Sequence, residues 1–203
     1  MTSMEGFVGG TTRAHARHSR TWGPLGLLLS MAPPVALVVA GIVVEGWGAI
    51  SWLGAIVWGV VAAVAFALVG MIGRAMGITR MDLLDLLGSM VAAPRTAAAR
   101  GLGAVVHLAD GAVLAIAWAY GTALGGLSAN VWTALAWGAV LWVLALLMLS
   151  TIGSVHPAIR AGRQDDPGPA ASNFGPMTPV GMLVSHLVWG AVLGLGYATW
   201  PLG

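Results

Sequence analysis

Five stretches of the chain, residues 25–44, 52–73, 102–124, 131–153 and 180–200, are almost entirely apolar, and a single charged residue, Asp110, interrupts them. Each has the roughly 20 residues an α-helix needs to cross a bilayer core. The polar residues collect between them, which is the reverse of the alternation expected of helices that face water on one side. The pattern predicts an all-α, polytopic transmembrane helix bundle of five spans. The first stretch (25–45) carries Pro33-Pro34, which removes two backbone donors and predicts a kinked or locally unwound helix, or a re-entrant piece in its place.

The last four stretches repeat themselves. His107-Leu108-Ala109-Asp110-Gly111-Ala112-Val113-Leu114 returns as His186-Leu187-Val188-Trp189-Gly190-Ala191-Val192-Leu193, seventy-nine positions later. The same offset superposes Ala55, Trp58, Gly59, Val61, Val64 and Leu68 on Ala134, Trp137, Gly138, Val140, Val143 and Leu147. The repeating unit is therefore a pair of apolar helices, residues 52–124 and 131–203. Because each unit crosses the membrane twice, its two copies run in the same direction and are expected to be related by a pseudo-twofold along the membrane normal.

Composition narrows the class further. Hydrophobic residues make up 58% of the 203 positions and charged ones 8%, against about 25% charged in a soluble domain. A bundle of five spans leaves no room for a separate soluble domain. Cysteine is absent, so disulfides and thiolate-held metal or iron–sulfur sites are excluded. No nucleophile–base pair, phosphate loop, dinucleotide fingerprint or zinc-protease motif occurs, and the reading is that the protein is not an enzyme. Nothing in the chain points to nucleic acid.

All nine basic residues are arginines, placed in the tail of residues 1–24, in the 74–100 connection and in the 160–163 connection. Five spans put those segments on one side of the membrane, and the opposite loops hold no arginine. The positive-inside rule then gives a bacterial or archaeal inner-membrane protein with its N-terminus in the cytoplasm and its C-terminus outside. In the first connection Thr79-Arg80-Met81-Asp82 resembles an S/T-x-x-acid helix start. It predicts a short interfacial helix over 79–92, or a cytoplasmic extension of the second span. The second connection is rich in proline and glycine from Arg160 to Pro179 and reads as a loop.

Two histidines and one acid carry the candidate chemistry. His107 and His186 lie five or six residues inside their apolar stretches, with Gly111 and Gly190 at i+4 forming a notch on the same helix face. One reading is close helix packing at the glycines with imidazoles hydrogen-bonded across the bundle. A second is axial ligation of haem b by both histidines across the pseudo-twofold. A third is a magnesium–histidine bond to a bacteriochlorophyll-type pigment, which needs only one imidazole. Bound lipid is expected in each case. Asp110, at i+3 from His107, is read as orienting that imidazole or snorkelling to the inner surface, with a proton relay as the alternative. The ten tryptophans read mainly as interfacial anchors, while Trp58, Trp118, Trp137, Trp142 and Trp189 fall in mid-span.

The duplicated His-Leu-x-x-Gly-Ala-Val-Leu, the Asp82–Gly88 stretch Asp-Leu-Leu-Asp-Leu-Leu-Gly and Gly175-Pro176-Met177-Thr178-Pro179 before the last helix resemble a family of small prokaryotic integral membrane proteins of unknown function. The resemblance covers about three-quarters of the chain and implies the four-helix duplicated core, with no catalytic role. The tail and the Pro-Pro helix are additions to that core. Together these features lead to the expectation of a non-catalytic accessory subunit that docks on other integral membrane subunits of an energy-transducing complex, respiratory or photosynthetic. A haem- or pigment-binding protein is the alternative, and a small transporter or channel the third.

Overall fold

The computed structural model describes residues 5–202, with the side chains of residues 5–23 left aside, so the expected contacts of the basic tail lie outside the described residues. The described chain is all-helical, without a strand. Its long helices are α1 (Glu5–Val44), α2 (Trp52–Ala75), α4 (Ala97–Leu124), α5 (Val131–Thr151) and α7 (Thr178–Thr199), joined by the short helices α3 (Leu83–Gly88) and α6 (Pro157–Arg160). Five segments are long and apolar enough to cross a membrane, the first being Pro24–Val44. The protein is a multi-pass membrane protein.

Local chemistry sets the helix starts. Ser51 Oγ accepts from the Gly54 amide (2.9 Å) and Thr96 Oγ1 from the Ala99 amide (3.1 Å), each satisfying one of the orphan donors of a first turn. Asn130 and Thr133 close a reciprocal capping box on α5. The helix containing His107 begins at Ala97, well before the apolar run at residue 102, because alanines and a cap suffice for a helix where hydropathy is interrupted by Arg100. Within α1 the helix continues through Pro24, Pro33 and Pro34 without a break. A spanning helix tolerates such prolines where neighbouring groups take up the freed carbonyls.

The helices pack unequally. Helix α2 lies along both α4 and α7, α5 lies along α7, and α1 sits in the angle between α4 and α5, which barely touch each other. Gly26 abuts the Thr151 side chain and Gly41 the ring of Tyr120, so small residues let α1 wedge into this angle. The contact between α2 and α7 thus has no counterpart of equal extent between α4 and α5. Within each helix pair the approach is alike. Gly59 and Gly111 meet backbone to backbone in the first pair, while in the second Gly138 lies against the His186 carbonyl and Gly190 against the Ala134 carbonyl.

Mid-span tryptophans tie the bundle internally. Trp137 Nε1 donates to the Leu114 carbonyl (3.1 Å), Trp142 Nε1 to Pro179 (2.9 Å) and Trp58 Nε1 to Trp200 (2.8 Å). In a membrane such bonds contribute about 0.6 kcal/mol each on average. Near the end of the bundle that carries the C-terminus, Trp47 and Trp52 stack at 4.2 Å, and the Ser51 amide donates to Tyr197 Oη (2.9 Å).

The arginine-bearing end is more ordered than a free loop. Helix α3 is shorter than the expected 79–92 segment and is tucked against α4, where Gly88 and Gly103 bring the two backbones into contact. Its N-cap is Asp82, whose carboxylate accepts from the Asp85 amide (3.1 Å). Thr79, the residue expected to start it, instead hydrogen-bonds Thr178 in a buried hydroxyl pair (2.8 Å). The proline- and glycine-rich connection forms a 3-10 turn over Pro169–Phe174 that buries Ala171 and Phe174.

Candidate functional site

His107 and His186 lie at one level of the bundle, on either helix flanking α2. His107 Nε2 donates to the Ala63 carbonyl on α2 (3.0 Å), and His186 Nδ1 donates to the Met182 carbonyl one turn back on its own helix (2.7 Å). Each neutral imidazole so bonded keeps one acceptor nitrogen. Phe66 of α2 packs against both rings, at centroid distances of 5.2 Å from His107 and 4.8 Å from His186. The space that the imidazoles line together is filled by this phenyl group.

The glycine notches are filled as well. A β-carbon on Gly111 would meet Ala63 Cβ and the Gly59 carbonyl, and one on Gly190 would meet the Ala134 carbonyl and the Leu135 backbone. Both slots therefore hold the backbone of a neighbouring helix, not a flat ring. These residues do not fit a haem held between His107 and His186, because a macrocycle would have to displace Phe66 and part α2 from α4. The arrangement is that of interhelical polar contacts beside small residues. Among the described residues no group of three or more His, Asp or Glu side chains is disposed to hold a metal ion.

Asp110 does not serve His107. The imidazole is turned to Ala63, and the carboxyl makes no hydrogen bond among the described residues. Its side chain is exposed on the outer face of α4, in line with the exposed Val106 and Val113. Counted at 1.5 Å per residue, it lies about 20 Å from either end of the helix. It lies outside the packed interior of the bundle.

A third histidine, His156, which no motif in the sequence singles out, is fully buried and holds the arginine end together. Its Nε2 donates to the Leu86 carbonyl (2.9 Å), and its Nδ1 accepts from the Ile159 amide (3.4 Å). Both ring nitrogens are committed, linking α3 to α6. Asp85, also buried, accepts from the Arg95 amide (2.6 Å) and from Gln164 Nε2 (3.2 Å).

A charged triad stands beside this framework. Arg74 at the end of α2 and Arg100 in α4 both converge on Asp82 Oδ2, the second at 3.1 Å. Burial raises the Asp82 carboxyl, but the Asp85 amide and the two guanidinium groups outweigh it and hold the group below the ordinary carboxylate range. The triad was not legible in the sequence as a unit, since its members come from three elements. The one signal was that Asp82 and Arg74 are among the few charges close to an apolar boundary. No family model, curated protein or solved structure matches the chain.

Proposed function

We propose that the protein is a non-catalytic integral membrane subunit that docks laterally on another membrane protein through the outer face of α4. The observation that carries this reading is Asp110: a carboxyl exposed at the middle of a spanning helix, on a face it shares with the exposed Val106 and Val113. A carboxyl at the helix centre costs about 2.5–3.5 kcal/mol to insert, and such groups normally pair inside a protein. Among the described residues nothing pairs with it. A partner helix presenting a donor at mid-membrane, such as Asn, His or a basic side chain, would offset the cost and give the contact its register.

The duplicated core supports the same reading. Its glycines are used to pack helices on one another, and its histidines are bonded to backbone carbonyls, which leaves the interior structural and directs function to the outer faces. The positive-inside rule orients the subunit with the Arg74–Arg100 segment in the cytoplasm.

The test is photocrosslinking in the native membrane, with the reactive group at Val106 or Val113 on this face and at Leu68, exposed on α2, as the control. The expected result is one discrete hetero-adduct from α4 positions, absent from Leu68 and lost in the Asp110→Leu variant. Migration of the intact protein alone after mild detergent extraction, or adducts only between copies of this chain, would overturn the reading.

A further inference from the structure

We propose that the cleft between the arginine-bearing ends of α2 and α7, closed below by α3, holds an acyl chain of an anionic phospholipid whose phosphate rests on Arg74 and Arg100. The cleft encloses about 330 Å³, within the range of about 300–1,000 Å³ typical of small-molecule sites. Its wall is nearly all apolar, contributed by Met71, Met81 and Met182 among others, and its far end is Phe66. Methionine is flexible and polarisable and adapts to an irregular aliphatic chain better than branched residues do. Arg74, Asp82 and Arg100 line the same cleft.

The charge arithmetic selects the headgroup. Two guanidinium groups and one carboxylate leave a net charge of +1, which a single phosphodiester neutralises. Asp82 engages Arg74 and Arg100 through one oxygen, Oδ2, so each guanidinium keeps free N–H groups for a second acceptor. Both arginine side chains are about half exposed, at 47% and 50%, so a headgroup reaches them from the bilayer surface. Guanidinium suits phosphate because its planar fork bonds two oxygens at once. A zwitterionic lipid would add a cation to a site that already has its positive charge.

The dimensions select an amphiphile over a free anion. Arg74 and Phe66 are eight residues apart on α2, so the charged mouth and the closed end are separated by about 12 Å along the helix. A free phosphate would use the arginines and leave the cleft empty of apolar contact. A phospholipid uses both. Where the arginine end faces the cytoplasm, the site lies in the leaflet that carries anionic lipid.

The test uses the purified full chain in mild detergent and native mass spectrometry with phosphatidylglycerol, with phosphatidylcholine of the same acyl chains, with the matching fatty acid, and with inorganic phosphate. Two variants separate head from tail. Arg74→Gln/Asp82→Asn/Arg100→Gln removes all three charges without stranding one of them, and Gly70→Leu projects a side chain into the cleft from a position where an added β-carbon has open space. Expected are preferential binding of phosphatidylglycerol, a loss of roughly thirtyfold in the triple variant from two arginine–phosphate contacts, and a comparable loss in Gly70→Leu. Equal binding of the two phospholipids overturns the proposal. So does phosphatidylglycerol binding unchanged in Gly70→Leu, which would mean surface electrostatics alone. Fatty acid binding tighter than phosphatidylglycerol overturns the headgroup assignment, and inorganic phosphate displacing the lipid at equal concentration overturns the amphiphile. The measurement needs no partner protein, so its outcome is independent of the docking role.

Discussion

The Gly59 carbonyl oxygen lies 2.8 Å from the point where a β-carbon on Gly111 would stand. A methyl group there has backbone on one side and the Ala63 side chain on the other, and neither can rotate away. Gly111→Ala should therefore force α2 and α4 apart, at an overpacking cost of about 1–3 kcal/mol, and Gly190→Ala should do the same to α5 and α7. At Gly70 and Gly101 an added β-carbon meets nothing, so alanine at either should leave stability unchanged or slightly raised. Thermal unfolding in detergent, followed by size-exclusion chromatography, checks the contrast. Equal behaviour of the four variants would remove the glycine contacts as a determinant of the fold.

The five spans were legible because apolar length alone sets them, as in residues 131–153 against the observed α5, Val131–Thr151. What hydropathy left out is what caps and side-chain competition decide. Ala97 to Gly101 joins α4 through the Thr96 cap although Arg100 breaks the apolar run, and Asp82 captures the α3 cap while Thr79 turns to Thr178. The histidines were found, but their environment was not. Sequence spacing puts Gly111 beside His107 on one face, and only the tertiary arrangement brings Gly59 and Phe66 into the space that the spacing leaves open. The cleft at the arginine end was hidden for the same reason, since its walls come from α2, α3 and α7 together.

The arginine distribution predicts the orientation, and the absence of cysteine makes it directly measurable. Ser128 and Ala161 are both exposed, in connections on opposite sides of the bundle. A cysteine at Ser128 should react with an impermeant maleimide in intact cells, and one at Ala161 only after permeabilisation. The inverted labelling pattern would reverse the topology and move the arginine end to the outer leaflet.

The packing of Phe66 on both imidazoles predicts a colourless protein. The purified chain should show no Soret or long-wavelength pigment band, and His107→Ala and His186→Ala should leave its absorption spectrum unchanged. The cost of those substitutions is structural: each removes a bond to a backbone carbonyl and leaves a void, about 1–3 kcal/mol in all. A Soret band lost in both variants would show that Phe66 gives way to a macrocycle and would restore the haem reading.

The depressed proton affinity of Asp82 predicts a defined pH dependence. Asn caps helices as well as Asp does, so Asp82→Asn keeps the α3 cap and removes only the charge facing Arg74 and Arg100. At neutral pH the variant should be less stable by at most about 1 kcal/mol, because the pairs are partly open to solvent. A carboxyl whose folded-state affinity for protons is lowered contributes its stability above its unfolded pKa, about 3.9, and loses that contribution as pH falls through the lower folded value. The gap between the two proteins should hold from pH 7 to about pH 5 and close below about pH 4, and high salt should narrow it at every pH. Unfolding curves at pH 7, 5 and 3 decide the matter. A gap that persists undiminished at pH 3 would mean that Asp82 acts through packing, with the two arginines held by something other than its charge.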